Sequence, residues 1–390
     1  MKILHVLGGG AWGGGSVVVM AITRALIARG DEVWVVSLDQ ENSERFAAIG
    51  AKIVRSPFWF HPINPFDIVP FVQLFLLCRR ERFDLVDTHT SKGGILGRFA
   101  ARLAGVPYII HHAHGFAFKD SNHRWVRKTF LALERMAAKA CDGIISVSEE
   151  HRDTAVTEGV AASSHVRTVL NGIDLAQFEH PNRTEARRQL GVDGDDLLIG
   201  VANRLAPVKA IEYAIRAMPP VLKSFPNARL VIIGEGPSEA DLRREAGNSG
   251  VADRIDFAGF RRNVPELLAA FDVVVQPSRW EGLSISLLEA MAAGRPLVAC
   301  DVQGNRDVIE HGVNGLMVPP QDPDALASAI ASILSDRALA KRLGENAARD
   351  CRTRFSQQRM VQQTLAIYDR EPALADQVLE FATASRTSRN

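Results

Sequence analysis

Two cations and two carboxylates in the second half of the chain have the types and spacings that handle a diphosphate. Arg204 and Lys209 stand five residues apart in one loop, directly after an apolar run at 197–201. An arginine can fork onto two phosphate oxygens, while a lysine acts as a compact point charge. Glu281 and Glu289 bracket a second loop, in the stretch Trp280-Glu281-Gly282-Leu283-Ser284-Ile285-Ser286-Leu287-Leu288-Glu289. The pattern predicts a buried strand over 271–277 ended by Pro277, then a loop, then a helix over 284–293 stopped by Gly294 and Pro296. The backbone N–H groups of Leu283, Ser284 and Ile285 at that helix start would seat an anion, with an acceptor on either side. Each pair by itself is also consistent with solvated surface charge, the reading that a lone glutamate pair favours, because charged side chains are mostly exposed. Together they lie beyond strand ends, where open α/β sheets bind ligands.

The first half offers other chemistry. A strand at 108–110 runs into His111-His112-Ala113-His114, which places His114 in a strand-end loop as a base, an acid or a hydrogen-bonding group. No His, Cys or carboxylate partner lies at metal-motif spacing from these histidines, so no metal site and no cofactor are predicted. Gly8, Gly10 and Gly13 spell the dinucleotide fingerprint after a first strand, and Asp39 closes a second strand. Against that reading, the glycines continue to Gly15, and Asp39 lies 26 residues past Gly13 rather than the usual ~20. Such a loop suits backbone that approaches a ligand closely.

An aromatic, proline-rich stretch holding Phe58, Trp59 and Phe60 precedes a helix predicted over 67–82, with Val69, Val72 and Leu76 on one face and Arg79, Arg80 and Arg82 at its end. It reads either as a buried loop feeding a core helix or as an amphipathic lip touching a membrane or a lipid-linked substrate. Arg124, Arg127, Lys128 and Arg135 stripe a helix predicted over 122–140, either a solvated face or part of the same anionic contact. Asp193-Gly194-Asp195-Asp196 contains a DxD pattern but precedes its strand, which makes it an acidic turn.

The elements that must position these residues form two alternating α/β series. The chain has 390 residues, too many for one ordinary core. Strand, glycine-rich loop, helix and strand open the first series, and the pattern restarts at 197 after a linker near 171–195. The net charge of +1 gives no electrostatic case for nucleic acid. Four scattered cysteines make no disulfide framework or metal pair, which fits a reduced, cytoplasmic setting. No run reaches the ~18 apolar residues of a membrane span.

Five motifs in order resemble the retaining, GT-B-fold glycosyltransferases of family 4. They are His114-Gly115-Phe116, Val169-Leu170-Asn171-Gly172-Ile173-Asp174, the Asn203-Arg204-Leu205-x3-Lys209 loop, Gly234-Glu235-Gly236-Pro237 and Glu281-x7-Glu289. The resemblance covers about residues 1–370. Ser91-Lys92-Gly93-Gly94-Ile95-Leu96-Gly97-Arg98 and the Leu-Ser-Ile-Ser variant after Gly282 look like the bacterial polysaccharide and lipid-linked oligosaccharide branch.

The resemblance implies an α/β, GT-B fold with two Rossmann-like domains facing across a cleft. It implies an acceptor domain at 1–175, a nucleotide-sugar donor domain at 176–355, and a C-terminal helix at 356–390 packing back on the first domain before a frayed tail. Glu289 would anchor the nucleotide ribose and Glu281 the donor-sugar hydroxyls. Arg204 and Lys209 would hold the diphosphate and stabilise the leaving group. Gly14, Gly15 and Ser16 would close over the phosphates, and His114 would bond the donor sugar, at its 6-hydroxyl.

Two departures affect loop geometry: Asn203 and Ala210 stand where the family usually has glycine. Leu283 and Ser284 replace the common aromatic and glycine, which leaves the donor sugar open. The expected activity is metal-independent, retaining transfer of a hexose from a UDP-sugar to a lipid-linked saccharide, at the inner face of the membrane. The rival readings are a sugar-nucleotide epimerase or a synthase with a soluble acceptor, an NAD-dependent oxidoreductase using Gly8, Gly10, Gly13 and Asp39, and a silent nucleotide-sugar binding protein.

Overall fold

Strands rich in Val, Ile and Leu pair in parallel when crossover helices cover both faces of the sheet. That pattern organises both halves of the computed structural model, which describes residues 1–8, 12–56, 65–116, 118, 124–192 and 194–371. The chain divides into two units, one of Met1–Asn171 with the C-terminal segment from Gln358, the other of Gly172–Gln357.

The first unit holds a parallel sheet of β1 (Lys2–Gly8), β2 (Glu32–Ser37), β3 (Lys52–Arg55), β4 (Leu85–His89), β5 (Ile109–Ala113), β6 (Gly143–Ser146) and β7 (Val166–Thr168). Their order is β3-β2-β1-β4-β5-β6-β7, so the sheet reverses direction of growth between β1 and β4. Leu4, Val6, Val86, Ile109 and Ile144 pack with Leu74, Ile95 and Phe116 into its core. The helix Gln357–Tyr368 ends on this unit, where the Tyr368 hydroxyl donates to Asp87. Arg98 of the helix Ser91–Ala104 is fully buried and pairs with Glu134 at 2.6 Å, which gives the glycine-rich motif around it a packing role.

The second unit repeats the plan with β8 (Leu197–Ala202), β9 (Ala228–Ile233), β10 (Ile255–Gly259), β11 (Val273–Gln276), β12 (Leu297–Cys300) and β13 (Leu316–Val318). Their order, β10-β9-β8-β11-β12-β13, reverses between β8 and β11. Val201, Ile232, Val273 and Val275 meet Ile215, Met218 and Ile330 in its core. The Asn-Gly turn of the Val169–Asp174 motif has a local reason: a Cβ on Gly172 would stand 2.3 Å from the Ser356 carbonyl oxygen. Ile173 and Ser356 are bridged, so the two crossing segments run side by side.

Several boundaries differ from the sequence expectation. The glycine-rich stretch is helical from Gly14, in a helix Gly14–Ala28 whose Val17 N–H already bonds the Gly13 carbonyl at 3.1 Å. Glycine disfavours that turn, but Val18, Val19, Ile22 and Leu26 anchor the helix on the sheet. Gly14, Gly15 and Ser16 are therefore helix start rather than loop, and Gly9, Gly10 and Ala11 lie outside the described residues. The helix predicted over 67–82 runs Ile68–Glu81. Phe58, Trp59, Phe60 and Asp193 also lie outside the described residues.

Candidate functional site

In a doubly wound sheet the strand ends at the reversal point splay their loops apart and leave a crevice for a ligand. In the second unit those strands are β8 and β11. β8 delivers Asn203, Arg204 and Lys209, and β11 delivers Gln276, Ser278 and Glu281. Lys209 Nζ lies 2.7 and 2.8 Å from the two Glu281 oxygens, an ion pair that joins the two loops. Glu281 is only 5% exposed and its Oε1 also accepts from Gln276 Nε2 and Ser278 Oγ, each at 2.6 Å. Oε1 is thereby filled, and Oε2 is the oxygen with acceptor capacity left. The ammonium has three donors and commits two to Glu281, so one remains for a ligand.

A polar ladder holds this pair. Asn203 Nδ2 donates to Gln276 Oε1 at 2.6 Å, and Ser286 Oγ donates to Asn203 Oδ1 at 2.9 Å. Asn203, a departure from the usual glycine, thus ties the Arg204 loop to the start of the helix Ile285–Ala292. Ser284 caps that helix by accepting from the Leu287 N–H at 3.4 Å. Leu283 is buried, and Ser284 is turned to capping as well as to Gln276 at 3.1 Å. The Arg204 side chain is exposed and has no hydrogen-bond or ion-pair partner among the described residues.

The Gly-Glu-Gly-Pro motif places the Arg204 loop. Gly234 and Gly236 hold φ of +136° and +157°, and a Cβ on them would stand 1.9 Å from the Asn203 carbonyl oxygen and 2.4 Å from that of Leu205. Only glycine permits both the angles and the approach. Ala210, after Lys209, sits at φ 51°, a left-handed conformation that explains why glycine suits this place.

Glu289 lies one turn into the helix, half-buried, with no side-chain partner among the described residues. Burial pushes its carboxyl up to about 7. A carboxylate held partly dry and unpaired is poised to accept from hydroxyl groups.

The first unit's reversal point, between β1 and β4, is built differently. His5, Asp87, His89, His111 and His112 sit inside fully buried strands. His89 Nε2 lies 3.3 Å from Asp87 Oδ2 and 3.2 Å from His5 Nδ1, and His89 Nδ1 lies 3.3 Å from His114 Nε2. The His112 and His114 rings stack at 4.8 Å. Burial lowers His5 to about 3 and His114 to about 4, and takes His89 and His112 well below the ordinary imidazole value. These rings are neutral.

Gly15 lies against His114, where a Cβ would meet the ring at 3.5 Å, so the first helix start and His114 share one locale. Asp39 does not face this crevice as the dinucleotide reading requires. Its carboxylate caps the helix Gln40–Ala48 by accepting from the Asn42 N–H at 2.8 Å. His5, Asp87 and His89 offer metal-ligand atoms within 4.8 Å of one another, partners that sequence spacing around His111–His114 could not reveal.

The predicted surface residues are spread. Arg124, Arg127 and Lys128 are exposed on the helix Arg124–Ala138, with Arg127 paired to Glu158 at 2.7 Å and Trp125 81% exposed. On the helix Ile68–Glu81, Leu74, Leu77 and Cys78 face the core while Ile68, Val69, Val72 and Leu76 are exposed. Among the described residues, no helix is long and apolar enough to cross a membrane.

Sequence reading missed Gln276, Ser278 and Ser286 in the second unit, and His5, Asp87, His89 and Tyr368 in the first. The available signal was a polar residue interrupting an apolar strand: Gln276 closes Val-Val-Val, and His5, Asp87 and His89 break β1 and β4.

Comparisons with known proteins bear on both halves. A family model described as glycosyl transferases group 1 matches residues 182–350, and one described as glycosyltransferase family 4 matches residues 12–177. The chain is 31% identical over 278 residues to an Escherichia coli UDP-Gal:alpha-D-GlcNAc-diphosphoundecaprenol alpha-1,3-galactosyltransferase, covering 70% of this chain and 72% of that one. It is 27% identical over 364 residues to a Campylobacter jejuni N,N'-diacetylbacillosaminyl-diphospho-undecaprenol alpha-1,3-N-acetylgalactosaminyltransferase, covering 90% and 94%. The fold matches the crystal structure of Anabaena HepE in complex with UDP at a TM-score of 0.82 and 23% identity, covering 95% of this chain and all of that one.

Proposed function

The chain belongs to the GT-B-fold glycosyltransferases of family 4, and on that premise we propose that it transfers a hexose, with retention, from a UDP-sugar to a lipid-linked saccharide. The observation that carries the reading is the pairing of Lys209 with Glu281 across the β8–β11 reversal, with Arg204 in the Lys209 loop and Glu289 in the helix after Glu281 both without a side-chain partner among the described residues. These four groups match the parts of a nucleotide-sugar: Glu289 for ribose hydroxyls, Arg204 and the third Lys209 donor for the diphosphate, Glu281 Oε2 for a sugar hydroxyl. A diphosphate neutralised by two side-chain cations needs no divalent metal, and the transfer is read as metal-independent.

Breaking the bond from the anomeric carbon to the diphosphate leaves both electrons on the phosphate oxygen and positive charge on the carbon. Lys209 and Arg204 act where that negative charge grows, so their stabilisation is larger in the transition state than in the ground state. The Glu281 pair holds the ammonium in place beforehand and removes the cost of ordering a free lysine. For retention, the acceptor hydroxyl attacks from the face the phosphate leaves, and its proton passes to the departing phosphate oxygen. His114 supplies a hydrogen bond to the donor sugar, the role its motif implies.

A lipid-linked acceptor is favoured by the relatives that act on undecaprenyl diphosphate-linked sugars and by the exposed strip of Ile68, Val69, Val72 and Leu76. Such a strip, with Arg79 and Arg80 exposed at its end, suits the boundary of an anionic membrane surface. We place the protein at the cytoplasmic face on that basis. The domain organisation is read as an acceptor unit followed by a donor unit, with the C-terminal helix returning to the first.

The deciding experiment mixes the protein with UDP-hexoses and a polyprenyl diphosphate-linked saccharide and follows product anomeric configuration by NMR. Transfer with retention is expected, and a UDP-sugar raises the melting temperature while NADH does not. Turnover of NADH, or a product of inverted configuration, would sink the proposal.

A further inference from the structure

Two departures from the common family pattern, Asn203 and Ser284, stand 81 residues apart in sequence (284 − 203) and belong to one ring of hydrogen bonds. What the ring does rests on the reading of Lys209 as a cation for the diphosphate. Its members are Gln276, Ser284, Ser286 and Asn203, all in the second unit. Gln276 and Ser284 are buried, while Ser286 and Asn203 are half-buried.

The Glu281 carboxylate fixes the direction of every bond in the ring. Lys209 Nζ lies 2.7 and 2.8 Å from its two oxygens, so Glu281 is ionised and only accepts. The amide atom 2.6 Å from Oε1 must then be the Gln276 nitrogen, because an amide oxygen there would face a carboxylate oxygen. Gln276 therefore turns its oxygen to Asn203, which presents its own nitrogen at 2.6 Å. The Asn203 oxygen is left facing the Ser286 hydroxyl at 2.9 Å, and Ser286 has a single proton, which it gives there. The Ser284–Ser286 contact at 3.0 Å, open in direction by itself, is then donated by Ser284. Ser284 in turn accepts from the second Gln276 N–H at 3.1 Å, a hydrogen it shares with Ser278 at the same distance. The ring closes with all its bonds pointing one way round, and in such a chain each bond polarises the next.

We propose that Gln276, Asn203, Ser284 and Ser286 are positioning residues for Lys209. The ring holds Glu281 Oε1, Glu281 holds the ammonium, and the Nζ hydrogen not bound to Glu281 keeps a fixed direction for the diphosphate. The four residues act through Lys209 and not on the substrate. Glycine at 203, the commoner residue in the family, would leave the buried Gln276 oxygen without a donor. Gln276 is then free to turn, and Glu281 loses one of the two neutral donors on Oε1. Asn203 and the serine pair at 284 and 286 are thus one feature of this chain, although they lie on separate loops.

The test first reads Lys209 without substrate. In the full chain labelled with nitrogen-15 at lysine, the Lys209 ammonium signal is assigned by its loss in Lys209→Ala. Wild type is expected to give a sharp signal, because an ammonium held by a buried carboxylate exchanges its hydrogens slowly with water. Asn203→Gly is expected to lose that signal. The same variant, shown folded by its thermal melt, should lower kcat for transfer from a UDP-hexose by about 10-fold while the donor KM changes by less than about 2-fold, since a fixed ammonium matters most where leaving-group charge grows. In a Lys209→Ala background Asn203→Gly should lower kcat by less than about 2-fold, because nothing is left to position. Ser286→Thr, which keeps the hydroxyl, should recover most of what Ser286→Ala loses. A folded Asn203→Gly with the Lys209 signal unchanged overturns the proposal, and so does a loss that adds in full to that of Lys209→Ala. Should Asn203→Gly not fold, Ser286→Ala breaks the ring from its half-buried side and serves in every measurement. Wild type that binds no UDP-hexose removes the transferase reading, and the ammonium signal still decides whether the ring holds Lys209.

Discussion

The two sheets reverse direction at equivalent places, β1–β4 and β8–β11, yet the two reversal points solve opposite problems. The second gathers formal charge: Lys209 and Glu281 neutralise each other, and Arg204 in the same loop and Glu289 in the following helix have no side-chain partner among the described residues. The first gathers neutral rings in a dry interior, where His5, His89, His112 and His114 stay uncharged around Asp87. A diphosphate brings charge of its own and needs fixed countercharge near solvent. A sugar hydroxyl is neutral, and a neutral hydrogen bond gains most where water is excluded. The difference teaches that one topology can host either chemistry, and that the residues at its strand ends decide which.

The largest expected effect tests the charged side. Lys209→Ala should lower kcat/KM by about 10²–10³-fold, the loss typical of one transition-state charge donor. It should also destabilise the second unit by about 3 kcal/mol, because Glu281 is left buried without its partner. Adding Glu281→Gln should recover most of the stability and none of the activity, measured by denaturation and transfer assays. Recovery of activity in the double variant would break the assignment of Lys209 to the leaving group.

Glu289 gives the next effect. Ribose hydroxyls need the carboxylate form, and burial sets its pKa at about 7, so nucleotide-sugar affinity should weaken as pH falls from 8 to 6. Glu289→Gln should bind about 10-fold more weakly at pH 8, as expected for lost hydrogen bonds to a charged group, and its affinity should not vary with pH. Calorimetric titration across that range checks both slopes.

Acid should separate the units by stability. His5 has a folded pKa near 3, below the unfolded 6.5, so its contribution is present above 6.5 and is lost as pH falls toward 3. By pH 5 that is about 2 kcal/mol for this one histidine. Glu289 runs the other way, since its folded pKa of about 7 lies above the unfolded 4.5 and its contribution is lost as pH rises through 7. Asp87, which burial pushes up to about 8, offsets part of that loss as pH falls, while the lowered His89, His112 and His114 add to it. Hydrogen exchange resolved by peptide should show the first unit loosening between pH 7 and 5 while the second holds. Parallel loosening of both would erase the contrast.

The smallest effect concerns the Lys209 loop. Ala210→Gly should stabilise the second unit by about 0.5 kcal/mol, because relief of the left-handed strain slightly exceeds the added freedom of the unfolded chain. Activity should be unchanged, and a thermal melt resolves the shift.

Much of this was legible in the sequence where the signal is local. Alternating apolar runs and glycine stops gave both α/β series, and motif order gave the family. Boundaries were less legible: Gly14–Ser16 reads as loop because glycine disfavours a helix, yet packing by Val18, Val19 and Ile22 makes it helical. Val69, Val72 and Leu76 read more readily as core than as lip and are exposed, because periodicity says that a face is apolar and not what covers it.

The chain by itself determined which residues could meet a nucleotide-sugar: Arg204, Lys209, Glu281, Glu289 and His114 all carry chemistry at predicted strand or helix ends. Only the tertiary structure decided their partners. Lys209 meets Glu281 across 72 residues, and Tyr368 meets Asp87 across 281. Partnership of that kind depends on which strands become neighbours in the sheet, a property of topology that no local spacing encodes. The same sheet that buries a histidine also fixes its charge, because desolvation acts on position in the fold and not on residue type.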